Sequence, residues 1–321
     1  MRTCDIFYPS TNGTDTIVAK IWQPDGAAKG IIQISHGMCE YIDRYSAFAQ
    51  TLTQQGFFVC ANNHLGHGAS ASDPEHLGYF AKRGGDKFLI DDLHTLTNMM
   101  KIKFPGMPLV LFGHSMGSFI ARNYVTKYGQ ELDAVIFCGT SGPNPGARVG
   151  KKLAAFECRR RGEFYRSSLL SQLAFGSYNK KYKRRTKFDW LTRDEDVVDA
   201  YLADPYCNFT FTASAFHDLF TLLLRCSDPE WFASYPKALP TLLISGDMDP
   251  VGDYGKGVSY VYQTLVSAGV RDIHLKLYKG ARHELLNETN FGEVYEDILC
   301  WLSHLPAFSS EDLKENSLDA N

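Results

Sequence analysis

Ser115 lies between glycines two positions away on either side, in Gly113-His-Ser-Met-Gly117. That spacing suits a chain that reverses sharply, with the serine strained at the apex and its neighbours nearly without side chains. A serine hydroxyl attacks a carbonyl only with an adjacent base, itself oriented by a carboxylate. Two later loops supply candidates in the order acid, then base. Gly246-Asp-Met-Asp249-Pro offers Asp249, with Asp247 and Asp253 as competitors, and Asp249 is preferred because Pro250 bends the chain away directly after it. Gly280-Ala-Arg-His283 offers His283, whereas His274 falls inside an expected strand and His304 near the end of the chain. The oxyanion of an acyl transfer needs two N–H donors. Met116, directly after the nucleophile, supplies one, and Met38, in His36-Gly37-Met38, supplies the other.

The elements that must carry these groups follow from hydrophobic periodicity. Leu109–Phe112 is a short continuous apolar run, the mark of a strand buried on both faces, and residues 117–128 read as the helix after it. Residues 4–8 and 15–22 form a hairpin through Asn12-Gly13. Further strands are expected at 30–35, 57–61, 134–138, 239–245 and 273–278, those at 30–35 and 134–138 buried, with helices near 45–55, 86–104, 255–268 and 291–302. Apolar strands alternating with helices give an α/β fold with a mostly parallel central sheet flanked by helices. Between about 143 and 236 the rhythm stops and helical patterns appear at 147–161, 165–178, 194–203 and 212–225. The expected organisation is a core of residues 1–142 and 237–305, a helical cap or lid at 143–236, and a flexible tail at 306–321.

Composition limits the function. The chain has 321 residues, 44% hydrophobic and 21% charged, with a formal net charge of −3, which gives no reason to expect a nucleic-acid partner. Eight cysteines stand singly with no C-x-x-C, the first residues lack the apolar core of a secretory signal, and a cytoplasmic protein with reduced thiols is expected. His64 and His67 lie three apart without a partner Cys or Glu cluster, so they read as loop braces and no metal or cofactor is expected. His114 reads as a packed neighbour of Ser115. Residues 148–187 carry thirteen Lys or Arg against Glu157 and Glu163, a local charge of +11. A solvated helical face accounts for such a run. Because Leu169, Leu170, Leu173 and Phe175 lie among these bases, the alternative is peripheral contact of the cap with an anionic membrane surface.

These motifs together resemble the serine α/β-hydrolases, and within them the group of monoacylglycerol lipases, lysophospholipases and serine aminopeptidase-like hydrolases. The matching stretches are His36-Gly-Met-Cys-Glu-Tyr-Ile-Asp-Arg-Tyr45, His64-Leu-Gly-His-Gly-Ala-Ser70, Gly113-His-Ser-Met-Gly117, Gly246-Asp-Met-Asp249-Pro and Gly280-Ala-Arg-His283-Glu. The resemblance implies an α/β-hydrolase fold, Ser115 as nucleophile, Asp249 as acid, His283 as base, and Met38 and Met116 as oxyanion donors. It also implies cofactor-free hydrolysis of single-chain lipid esters through an acyl-enzyme. An aminopeptidase or amidase of the same fold would need an acidic pocket, for which Glu157, Glu163 and Asp218 are the nearby candidates. An acyltransferase or thioesterase would use the same triad. Two positions depart from the group: Asn63 replaces an aspartate before the Gly-His-Gly loop, and Met38 stands where a small residue is usual.

Overall fold

The computed structural model describes residues 1–308. In chain order the strands are β1 (Arg2–Pro9), β2 (Thr16–Gln23), β3 (Gly30–Ser35), β4 (Phe57–Asn62), β5 (Leu109–His114), β6 (Ala134–Cys138), β7 (Thr241–Gly246) and β8 (Ile273–Tyr278). The helices are α1 (Ser46–Gln54), α2 (Gly85–Lys103), α3 (Met116–Tyr128), α4 (Pro145–Arg161), α5 (Ser168–Phe175), α6 (Glu195–Ala203), α7 (Ala213–Arg225), α8 (Pro229–Ser234), α9 (Lys256–Ser267) and α10 (Phe291–Ser303). The strands make one sheet in the order β1-β2-β4-β3-β5-β6-β7-β8. β1 and β2 pair antiparallel, as does β2 with β4, and every other pairing is parallel.

Continuous apolar strands fit here because alternate side chains feed two separate cores. Leu109, Leu111, Val135 and Phe137 point to the face covered by α2, α3 and α9, and Val110, Phe112, Ile136 and Cys138 to the face covered by α1 and α10. After β3 the chain passes to β4 on one side and then returns to place β5 on the other. The crevice at the carboxyl ends of β3 and β5 is therefore a topological switch point, where open parallel sheets bind ligands. Ser35 is level with Gly113, His114 with Cys138, and Gly246 with Tyr278, so the loops leaving these strands emerge on one rim.

Five helices, α4 to α8, lie between β6 and β7, one more than periodicity indicates. The extra one, α8, is only six residues long and starts at Pro229 with the Asp228 carboxylate capping Glu230 N–H, a signal too short for a periodic pattern. At the other end of the chain the outcome differs from the expected tail. Residues 306–308 form a short 3₁₀ turn, and buried Phe308 packs its ring 5.2 Å from that of Phe57. Gly30 lies beneath it, where a Cβ would come within 2.4 Å of the Phe308 ring. The rest of that tail, 309–321, lies outside the described residues.

Candidate active site

Ser115 sits at the end of β5, immediately before α3, with φ 53° and ψ −120°. A left-handed φ in a non-glycine residue is strained and persists only where its surroundings hold it. Here the Ser115 N–H donates to Cys138 O at 2.9 Å, which extends the β5–β6 ladder into the turn. The flanking glycines allow close packing. A Cβ on Gly117 would lie 1.9 Å from Ser35 O, so only glycine lets the first turn of α3 press against the end of β3. Ser115 Oγ lies 2.8 Å from His283 Nε2, and His283 Nδ1 lies 2.9 Å from Asp249 Oδ2. Asp249 is fully buried and also accepts from Val251 N–H at 2.9 Å and Ser245 Oγ at 3.3 Å. Its competitor Asp247 instead accepts from Gly280 N–H at 2.7 Å and so ties the β7 and β8 loops together. His274 and His304 stay with local partners, Asp272 and Cys300 O. The structure thus brings Ser115, His283 and Asp249 into one hydrogen-bonded row, and Met38 and Met116 line the same cavity beside Ser115. As the first residue of α3, Met116 has an N–H with no carbonyl of its own helix to meet.

That cavity has a volume of about 610 Å³. Phe119, Leu219, Phe220 and Leu223 form an apolar wall, with Trp190, Tyr201 and Lys187 elsewhere on the lining. Glu157, Glu163 and Asp218 are not among its lining residues; Glu163 lies 3.6 Å from Lys82 Nζ and Asp218 3.3 Å from His217 Nδ1.

Beneath the row lies a buried polar network in which Glu40, Arg44 and Glu284 had no expected part. Glu40 Oε1 accepts from Gly37 N–H, from Tyr45 OH at 2.7 Å and from His114 Nδ1 at 2.9 Å. Arg44 donates to Glu40 Oε2 at 3.2 Å and grips Glu284, the residue after His283, through two bonds of 2.8 Å. Burial alone would raise the Glu40 carboxyl, but the charges of His114 and Arg44 outweigh it and hold Glu40 well below the usual carboxylate range. Glu284 is likewise raised by burial and lowered by more through Arg44. Burial pulls His114 down, and Glu40 more than reverses this. His114 is therefore half of a buried ion pair joining the serine turn to the loop after β3. The signal was available in part: a carboxylate three residues after Gly37 and an arginine four residues beyond it can share one face of a turn.

A second buried group also holds the loop after β3. His36, His64 and His67 are buried with ring centroids of His36 4.3 Å from His64 and 5.1 Å from His67. His64 and His67 both have protein partners, Ser35 Oγ at 3.0 Å and Cys39 N–H at 3.2 Å. Asn63, the departure from the group pattern, accepts from Ile42 N–H at 3.0 Å and braces the loop without a charge. Burial lowers His36 to about 4 and His67 to about 3, and pushes His64 down as well.

These histidines predict an acid-sensitive fold. Below about pH 6.5 the unfolded chain binds protons at all three positions, while the folded chain does not until much lower pH, so stability falls as pH falls. His114, raised in the fold, has its stabilising share fully present below about 6.5, and the Glu40 and Glu284 shares are lost only below about 4.3. The thermal midpoint should therefore drop between pH 7 and pH 5. A midpoint that holds steady over that interval would show that the trio is not neutral.

Residues 182–193, between β6 and β7, meet the site as a strap. Leu191 O accepts from Glu284 N–H at 2.7 Å, Arg282 donates to Thr192 O at 2.8 Å, and Arg193 Nε pairs with buried Glu288 at 2.8 Å. Tyr182 OH reaches Met248 O in the loop of Asp249. The Trp190 ring lies 5.1 Å from the His283 ring.

Residues 26–290 match the profile of the family described as serine aminopeptidase, S33. This chain belongs to that family. Among its relatives, the monoacylglycerol lipase of Mycolicibacterium smegmatis is 29% identical, over 90% of this chain and 94% of its own. The human monoglyceride lipase is 28% identical, over 91% of this chain and 88% of its own. Among solved structures, a thermostable carboxyl esterase from Bacillus coagulans in complex with glycerol aligns at a TM-score of 0.89, with 31% identity, covering 95% of this chain and 99% of that one. In this S33 family member, no helix among the described residues is long and apolar enough to cross a membrane.

Proposed function

We propose that this S33 family member hydrolyses carboxylic esters of single-chain lipids, monoacylglycerols or lysophospholipids, through an acyl-enzyme on Ser115. The observation that carries the reading is the Ser115–His283–Asp249 row beside a cavity with an apolar wall. His283 Nε2 takes the proton of Ser115 Oγ as the oxygen bonds to the ester carbonyl carbon. The negative oxygen turns toward the N–H groups of Met38 and Met116, and Asp249 stabilises the imidazolium through Nδ1–H. The C–O bond to the alcohol then breaks, and His283 returns the proton to the leaving oxygen. Water repeats the sequence on the acyl-enzyme and frees the fatty acid. The relatives' names, monoacylglycerol lipase and carboxyl esterase, support this substrate class.

The family description also raises peptide substrates. An aminopeptidase must meet the substrate ammonium with a carboxylate. The carboxylates on this cavity wall, Glu40 and Glu284, are already occupied by His114 and Arg44. Ester substrates fit the wall better. The test compares monoacylglycerols, lysophospholipids, short aryl esters and aminoacyl amides at equal concentration; fastest turnover of the amides would refute the ester reading.

The segment 143–236 acts in this reading as the lid, and its outer side as the lipid-facing surface. On α4, Val149 and Phe156 are exposed among Arg148, Lys152, Arg159 and Arg160, and Leu169 and Leu173 of α5 are exposed beside them in sequence. Other bases of the run are engaged elsewhere: Arg185 pairs with Asp199 at 2.7 Å and Lys181 sits 3.3 Å over the Tyr254 ring. Each base near an anionic surface contributes about 1 kcal/mol, so neutralising Arg148, Lys152, Arg159 and Arg160 together should weaken binding to anionic vesicles by about 10²-fold or more at low salt. Turnover of a soluble short-chain ester should not change. Co-sedimentation decides: wild type that ignores anionic vesicles leaves the bases as a solvated face.

A further inference from the structure

The donor assigned to Met38 is useful only if its N–H points at the substrate oxygen, and a turn in this region has several ways to point. Cys39, the next residue, has φ 54°, a strained setting for a non-glycine residue that does not hold itself. The structure shows what does hold it. His36 Nδ1 lies 2.8 Å from Gly37 O, and His36 Nε2 accepts from His64 N–H at 2.9 Å. A carbonyl can only accept and an amide N–H can only donate, so His36 must be neutral with its proton on Nδ1. His67 has the same form: Nδ1 lies 3.0 Å from Leu65 O, and Nε2 accepts from Cys39 N–H at 3.2 Å.

These two bonds grip the two peptide planes on either side of Met38. In a planar trans peptide the C=O and the following N–H point in opposite directions. With Gly37 O drawn back to His36, the N–H of Met38 must face the other way. Met38 and Ser115 line one cavity, and a Cβ on Gly37 would sit 3.1 Å from Ser115 Cβ, so this peptide plane lies beside the nucleophile. With Cys39 N–H drawn to His67, the next plane cannot flip and turn a carbonyl toward the substrate. Glu40 secures the near end by accepting from Gly37 N–H.

We infer that neutral His36 and His67 are positioning residues for acyl transfer: each locks one peptide plane beside Met38, and together they aim its N–H as an oxyanion donor. The inference rests on the ester-hydrolase reading above. Burial is the main cause of the low proton affinity of both rings, and it outweighs the opposing pull of the Glu40 carboxylate and of the carbonyl that each ring meets through Nδ1. His36 faces His64, His67, Glu40 and His114; His67 faces His36, His64 and Glu40, with Phe80, Phe209 and Phe211 completing its surroundings. Protonation at either Nε2 would set N–H against N–H, at His64 or at Cys39, and release the plane.

The test uses variants that separate shape from hydrogen bonding. His67→Phe keeps a ring among aromatic neighbours and removes the acceptor. His67→Gln puts an amide oxygen near the place of Nε2. On a soluble aryl ester, His67→Phe should lower kcat by about tenfold or more, toward the 10²–10³-fold that loss of one oxyanion donor costs, with KM little changed. It should weaken a boronic acid, which mimics the tetrahedral intermediate, by a similar factor. His67→Gln should recover most of both. On the His36 side, His36→Asn keeps a donor near Nδ1 and should outperform His36→Phe. Equal kcat in wild type, His67→Phe and His67→Gln would overturn the inference while the ester-hydrolase reading stands. Failure of the wild type to turn over any ester would instead remove that reading. Should the Phe variants not fold, ¹⁵N chemical shifts of the wild-type histidine rings decide: protons on Nδ1 of both His36 and His67 at pH 7 support the inference, and an Nε2–H form at either one overturns it.

Discussion

Ser115→Ala and His283→Ala will each reduce ester hydrolysis by about 10⁶-fold, to near background, because nucleophile and base act as one unit and either loss disables both. The effect should appear in kcat with the fold intact. Ser115 is held by its backbone, through Cys138 O and the start of α3, and removing Oγ leaves those bonds in place. A fluorophosphonate should label wild type at Ser115 and leave Ser115→Ala unlabelled. Persistent labelling of the variant would identify another nucleophile and overturn the assignment.

The second large effect belongs to Asp249. Asp249→Asn should lower kcat by about 10⁴-fold, since an amide at this place favours the wrong imidazole tautomer and cannot stabilise the imidazolium. The buried carboxylate accepts from His283, Ser245 and Val251, so the replacement is felt at once at the base. Asp247→Asn is the control: it keeps an oxygen that can accept from Gly280 N–H and should cost less than about tenfold, within the range of one neutral hydrogen bond. An active Asp249→Asn beside a dead Asp247→Asn would reverse the two roles.

The sequence was readable where chemistry and periodicity are local. Residues 30–35, 134–138 and 273–278 were expected as strands and are strands, because a short apolar run, or the apolar–polar alternation of 273–278, is recognisable from the segment alone. Ser115, Asp249 and His283 were expected on loops after strands, and the fold brings those loops to one rim. What could not be read depends on which strands become neighbours. Glu40 meets His114 only because β3 lies beside β5, and Arg44 meets Glu284 across 240 positions of sequence. Buried pairs of that kind look like ordinary surface charges in a string of letters. His67 was expected to brace a loop, but nothing in the spacing of His64 and His67 indicates that its target is Cys39 N–H. The short α8 and the docking of Phe308 escaped because neither spans a period of any pattern.

The strap formed by residues 182–193 bears on how such a protein can be recombined. Inserted segments are often treated as exchangeable modules, cut at the chain ends where they leave the sheet. Here that cut would discard Leu191 O, Thr192 O and Arg193, which hold Glu284, Arg282 and Glu288 on the His283 loop. A chimera grafting a foreign insert between β6 and β7 would thus inherit a slack histidine even with every triad residue present. One that exchanges only α4 and α5, and keeps the host chain from Tyr182 onward, would alter the lining of the cavity while leaving those three ties intact.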